Sequence, residues 1–136
     1  MTSPLTATLK QHGIQPSAQR LAVAEFVLHT DAHPSADQVF AEVQSRVPMI
    51  SRATVYNTLN LLVRKKLLRH LVLAEGRVVF DPHVARHHHF IDEATGEIHD
   101  IPWDALDVRK VEALKGVQVS EYQVVLRGRK ARGRRA

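Results

Sequence analysis

Near residue 68 the hydrophobic period of the chain changes, from an apolar residue every three or four positions to short β-rich runs. A chain with that switch must place helices first and strands after them. "SPLTATLKQHG" reads as a short helix stopped by Gly13, and "PSAQRLAVAEFVLHT" as a helix capped by Ser17, with Leu21, Ala24, Val27 and Leu28 as its apolar stripe. "HPSADQVFAEVQSRV" carries Ser35 and Gln38 at capping-box spacing, with Val39, Phe40 and Val43 facing inward. After the break "PMI", Ser51 caps "SRATVYNTLNLLVRKKLL". Beyond the switch, "LRHLVLAEGRVVFD" predicts a hairpin turning at "AEG". "HHHFI" and "EIHDI" predict a second hairpin around Thr95 and Gly96. "WDALDVRKVEALKG" predicts a helix ending at Gly116, and "VQVSEYQVVLRG" a strand. There are no internal repeats. The expected fold class is α+β.

Charge divides the chain further. Residues 1–80 hold nine Lys/Arg against five Asp/Glu, residues 81–126 hold four against nine, and the last ten hold six against none. A basic first part beside an acidic, histidine-rich part suggests an anionic partner and a cation. The boundaries that follow are 1–80, a Pro-containing hinge at 81–86, 87–128, and a basic disordered tail at 129–136 that adds non-specific attraction to phosphates. Zero cysteines exclude disulfides, thiolate zinc sites and thiol redox chemistry. No apolar run reaches membrane-spanning length, and "MTSPLTATLKQHG" lacks the pattern of a secretory leader. The cytoplasm is therefore the expected compartment, with no membrane partner.

Helix, tight break, helix and hairpin is the layout of a winged helix-turn-helix. In the helix after Ser51, Val55, Leu59, Leu62 and Val63 share the core face. Arg52, Tyr56, Asn57, Asn60 and Arg64 take the opposite arc, with Thr54 beside them. Arg suits guanine edges, Asn suits adenine, and a Tyr ring packs on thymine methyls. Lys65, Lys66, Arg69 and Arg77 would neutralise phosphates. An ordinary amphipathic helix with a solvated face has the same pattern.

Successive side chains of a strand alternate faces, so His87 and His89 share one face and His88 points away. Glu97, His99 and Asp100 come near on the next strand, and Asp81 is within reach. Nitrogen and oxygen donors without sulfur suit Fe(II), Mn(II), Co(II) or Zn(II). A surface histidine cluster that takes up metal adventitiously is the alternative.

"LKQHGIQPSAQR", "HPSADQVF", "SRATVYNTL", "VVFD", "HHHF" and "GEIHDIP", in this order and spacing, resemble the Fur family of metal-responsive repressors over about residues 9–128. The resemblance implies an N-terminal winged-helix domain, a small α/β dimerisation domain and repression of a double-stranded DNA operator by a metal-loaded homodimer. It implies a regulatory site of His33, Asp81, His87, His89 and Asp100. That site would hold one Fe(II) or Mn(II) per subunit, with zinc as a substitute in vitro. Most relatives carry a Cys-x-x-Cys zinc clamp, at positions that here are Asp92 and Thr95, so no structural zinc is expected. At the family's additional site stand Arg86, His88 and Tyr122.

Asp100, Asn57 and "IDEATGEIHDI" resemble the peroxide-sensing PerR branch. That likeness implies release of DNA when iron-catalysed oxidation modifies His33 or His87. The alternative is the haem- and iron-responsive Irr branch, which shares "ATVYNTLN", "HHH" and the missing clamp. With no zinc clamp, the dimer surface falls to apolar strand and helix positions, with Phe90, Ile98, Val119, Val124 and Leu126 as candidates. A non-haem metalloenzyme and a metal buffer are the other classes. The short chain, lack of a substrate-pocket signature and five filled ligand positions favour a regulator over an enzyme.

Overall fold

The structure, a computed structural model, describes residues 3–131 and divides between Val84 and Ala85 into two compact units. The division falls inside the 81–86 stretch. Residues 132–136, most of the expected basic tail, lie outside the described residues.

The first unit holds α1 (Pro4–Gln11), α2 (Ala18–Val27), α3 (Ala36–Gln44), α4 (Arg52–Arg64), β1 (Arg69–Val72) and β2 (Val78–Asp81). Each helix starts at a serine whose side chain accepts a backbone N–H three residues on: Ser3, Ser17, Ser35 and Ser51. At Ser35 the capping box is complete, with Gln38 accepting the Ser35 amide in return. Such caps contribute about 1 kcal/mol each.

α1 ends as its sequence predicts. Gly13, at φ 75°, lets its own N–H reach Lys10 O at 3.0 Å and the Ile14 N–H reach Leu9 O at 2.8 Å. α4 closes with the same pattern, Lys66 N–H on Val63 O and Leu67 N–H on Leu62 O, but a lysine stands at φ 63°. The helices bury Leu9, Val23, Val27, Val39, Val43, Val55, Leu59 and Leu62 in one core, which Val63 only lines. β1 and β2 pair antiparallel from Arg69↔Asp81 to Val72↔Val78, and the turn uses Glu75 at φ 64° and Gly76 at φ 74°.

The second unit is a three-stranded sheet in the order β4 (Ile98–Pro102), β3 (His87–Asp92), β5 (Val125–Gly128). β4 runs antiparallel to β3 and β5 parallel to it. The β3–β4 turn is shaped by Asp92, whose carboxylate accepts the Ala94 N–H at 2.8 Å, and by Gly96 at φ 80°.

Three expectations are corrected here. The helix expected over 103–116 is absent: only a 3-10 turn forms at Trp103–Ala105, and Lys110 stands at φ 70°. Its apolar residues find only partial cover, with Val108 and Leu114 exposed and Leu106 and Val111 half-buried, and about 14 residues do not hold a helix in water by propensity alone. The expected final strand shrinks to Val125–Gly128, with Val117 and Val119 exposed before it. Ile98, a candidate for the dimer surface, is instead buried opposite Ile91 in the core of its own sheet. No helix among the described residues is long and apolar enough to cross a membrane.

Candidate metal centre and nucleic-acid face

α4 presents Arg52, Tyr56, Asn57, Asn60 and Arg64 to solvent while Val55, Leu59 and Leu62 anchor it. Thr54 is half-buried, takes the Ser51 hydroxyl at 2.9 Å, and shares a polar cleft with Asn57, Ser17, Gln19 and Arg20. Arg52 and Tyr56 are not free to sweep. Both donate to the same carboxylate oxygen, Oδ1 of Asp37 on α3, and the Arg52 guanidinium lies 4.5 Å from the Phe40 ring centroid. The hydrogen bond to Asp37 is the main reason the Tyr56 phenol is raised above its usual 10.0, with desolvation and the Asp37 charge adding to it and Arg52 opposing. Asp37 was not foreseen from the sequence, where it reads only as a first-turn acid.

The same unit holds two of the five implied ligands. His33 Nε2 lies 3.2 Å from Asp81 Oδ2, and both side chains are 4% exposed. The chain is built to bring them together, because the Phe80 N–H bonds Pro34 O at 2.9 Å and so ties the start of α3 to β2. His33 has φ 51°, uncommon for a residue with a Cβ. The other Asp81 oxygen accepts the His83 N–H at 2.9 Å, and His83 Nδ1 is 3.6 Å from it. That neighbour too was missed, lacking any spacing signal.

The remaining three ligands meet in the second unit. His89 and Asp100 are register partners across β3 and β4. Asp100 Oδ1 lies 3.3 Å from His87 Nε2 and 3.5 Å from His89 Nε2, and the two rings pack edge to face at 4.6 Å. His87 Nδ1 bonds the Ala85 carbonyl at 2.8 Å, so its N–H is spent there and the Nε2 lone pair faces Asp100. Two imidazole nitrogens converging on one carboxylate oxygen form a donor set that fits a divalent cation of borderline hardness.

His88 is on the opposite face. Its Nδ1 accepts the Val124 N–H at 3.0 Å and its ring stacks on Trp103 at 4.6 Å. Arg86 lies over Trp103 at 5.2 Å and Tyr122 leans on it at 4.9 Å. Glu97 is exposed and His99 half-buried, with His99 Nε2 3.6 Å from Glu97 Oε1. Neither shares the Asp100 cluster.

The ferric uptake regulator family matches residues 11–127. The chain belongs to the Fur family. Among its relatives, the peroxide operon regulator of Bacillus subtilis (strain 168) is 32% identical over 123 residues, covering 89% of this chain and 85% of that protein. The Vibrio cholerae ferric uptake regulator matches with a TM-score of 0.73 and 25% identity, over 93% of this chain and 99% of that one. The Campylobacter jejuni peroxide stress regulator matches with a TM-score of 0.64 and 26% identity, over 96% and 98%. Four helices followed by small sheets is thus the Fur fold, with a DNA-binding domain first and a dimerisation domain second.

Proposed function

We propose that this Fur-family chain is a DNA-binding repressor, not an enzyme, whose operator affinity depends on one Fe(II) or Mn(II) and which releases DNA when peroxide oxidises His33 or His87. The observation that carries the reading is the pair of convergent donor sets. His33 and Asp81 meet in the DNA-reading unit, and His87, His89 and Asp100 meet in the other.

A cation taking ligands from both sets would favour the arrangement of units that brings the sets together, and so couple metal binding to DNA affinity. The residues divide the work. Asp81 and Asp100 balance the charge of a divalent cation, while His33, His87 and His89 supply nitrogen. The Ala85 carbonyl keeps His87 in the tautomer whose Nε2 can ligate. Fe(II) held by these residues would activate hydrogen peroxide, and the two electrons that reduce it would come, in net, from an imidazole ligand. The net change replaces a ring C–H of His33 or His87 by C–OH, with the second peroxide oxygen leaving as water. An oxidised imidazole ligates poorly, so the coupling weakens. The likeness to the Bacillus subtilis peroxide operon regulator supports this signal.

The working form is read as a homodimer. Among the described residues of the second unit the buried apolar ones are Ile91 and Ile98, while Val108, Leu114, Val117, Val119 and Leu126 are 37–61% exposed. A core that small gains from a partner surface.

The test is operator binding by the full chain with Fe(II) and with Mn(II), before and after peroxide, alongside a haem titration. DNA release by peroxide from the Fe(II) form alone supports the reading. Release by haem, with peroxide inert, replaces it with an Irr-like regulator. Metal-independent binding removes the regulatory site, and steady turnover of a substrate by the iron form makes the chain an enzyme.

A further inference from the structure

An acid on a surface meant for a polyanion weakens attraction, so Asp37 calls for an account. Its side chain is 69% exposed and that of Arg52 57%, so hydrogen bonds and stacking, not burial, hold the group together. A free arginine on a long stem takes any phosphate within reach. Here the guanidinium is held on two sides, by Asp37 and by the Phe40 ring. Of its five N–H donors Asp37 engages one nitrogen's, and the rest of the fork stays open for a base edge. The Tyr56 hydroxyl, spent on the same carboxylate oxygen, aims its ring from one turn further along α4.

We propose that Asp37 is a specificity-determining residue: it fixes Arg52 and Tyr56 as one rigid reading pair and withholds the Arg52 charge from indiscriminate phosphate contact. The inference rests on α4 being the DNA face. On random DNA, Arg52 must leave Asp37 to reach a phosphate, and the carboxylate repels the backbone. On the operator neither cost arises, because the pair is already set.

The experiment compares the Mn(II)-loaded full chain with Asp37→Asn on two duplexes, an operator recovered by selection from random-sequence DNA and a shuffled version of it, over a range of salt. Expected for Asp37→Asn is binding to the shuffled duplex about 5-fold tighter, with a salt slope steeper by about 0.9 as Arg52 takes one phosphate. Operator affinity changes less, so the specificity ratio falls. Glu42→Gln makes the same charge change on the same helix, where Glu42 pairs with Arg46 at 3.4 Å, and it leaves the ratio unchanged. If Asp37→Asn tightens both duplexes by one common factor, as a mere charge would, the proposal is overturned. Ultraviolet titration of the phenols gives a readout without DNA: Asp37→Asn moves the Tyr56 midpoint down toward the usual 10.0. An unmoved midpoint also overturns it. If Arg52→Ala and Tyr56→Ala both keep full operator binding, α4 is not the reading helix and the proposal falls with that assignment.

Discussion

His33→Gly tests the metal reading with little backbone misfit, because the φ of 51° at this position suits glycine better than any residue with a Cβ. In metal-free protein two effects oppose each other. Loss of the buried contact to Asp81 costs about 2–3 kcal/mol, and relief of the left-handed conformation returns about 1–2 kcal/mol. The lost packing of the buried imidazole adds to the first effect, so the apo variant is less stable than the parent. The decisive quantity is the increment that metal adds within each protein, in which this apo difference cancels. At Mn(II) one hundred times its dissociation constant the parent gains about 2.7 kcal/mol, or about 10 °C in Tm for a chain of this size. A 100-fold weaker site leaves about 0.4 kcal/mol at the same Mn(II) concentration, a shift of about 1–2 °C. Scanning calorimetry with and without Mn(II) reads both increments. A variant that keeps the full rise shows that His33 is not a ligand, and the coupling of the DNA-reading unit to the metal goes with it.

Arg52→Ala and Tyr56→Ala should each weaken operator binding by about 1–3 kcal/mol with metal content unchanged, as measured by fluorescence anisotropy. Peroxide treatment of the Fe(II)-loaded protein should add one oxygen to a peptide bearing His33 or His87, with Met1, Met49 and Trp103 as controls, and the Mn(II) form should stay unmodified by mass spectrometry. Prolonged chelation should leave the dimer intact in analytical ultracentrifugation; a stoichiometric zinc needed for the dimer would contradict this. Lys66→Gly should raise the stability of the first unit by about 1 kcal/mol in thermal denaturation, since the residue stands at φ 63° at the end of α4; a fall would show that the Lys66 side chain matters more than its backbone.

The sequence by itself determined what depends on neighbours a few positions away. Ser17, Ser35 and Ser51 cap helices because a hydroxyl three residues before an unpaired N–H reaches it whatever the rest of the chain does. Alternation alone puts His87 and His89 on one face of β3 and His88 on the other, since the pleat is local. Tertiary structure decided whatever needs a distant partner. Gly13 announces the end of α1, but Lys66 adopts the same left-handed turn because Leu67 is drawn back onto the core beside Leu62. The periodic stretch from Trp103 to Gly116 stays without a helix, with Val108 and Leu114 exposed and Leu106 and Val111 only half-buried, because too little of its stripe is covered. His33 and Asp81, 48 positions apart, meet because the Phe80 N–H seeks the Pro34 carbonyl. Asp37 joins Arg52 and Tyr56 only because α3 packs against α4, and no spacing within either helix encodes that contact.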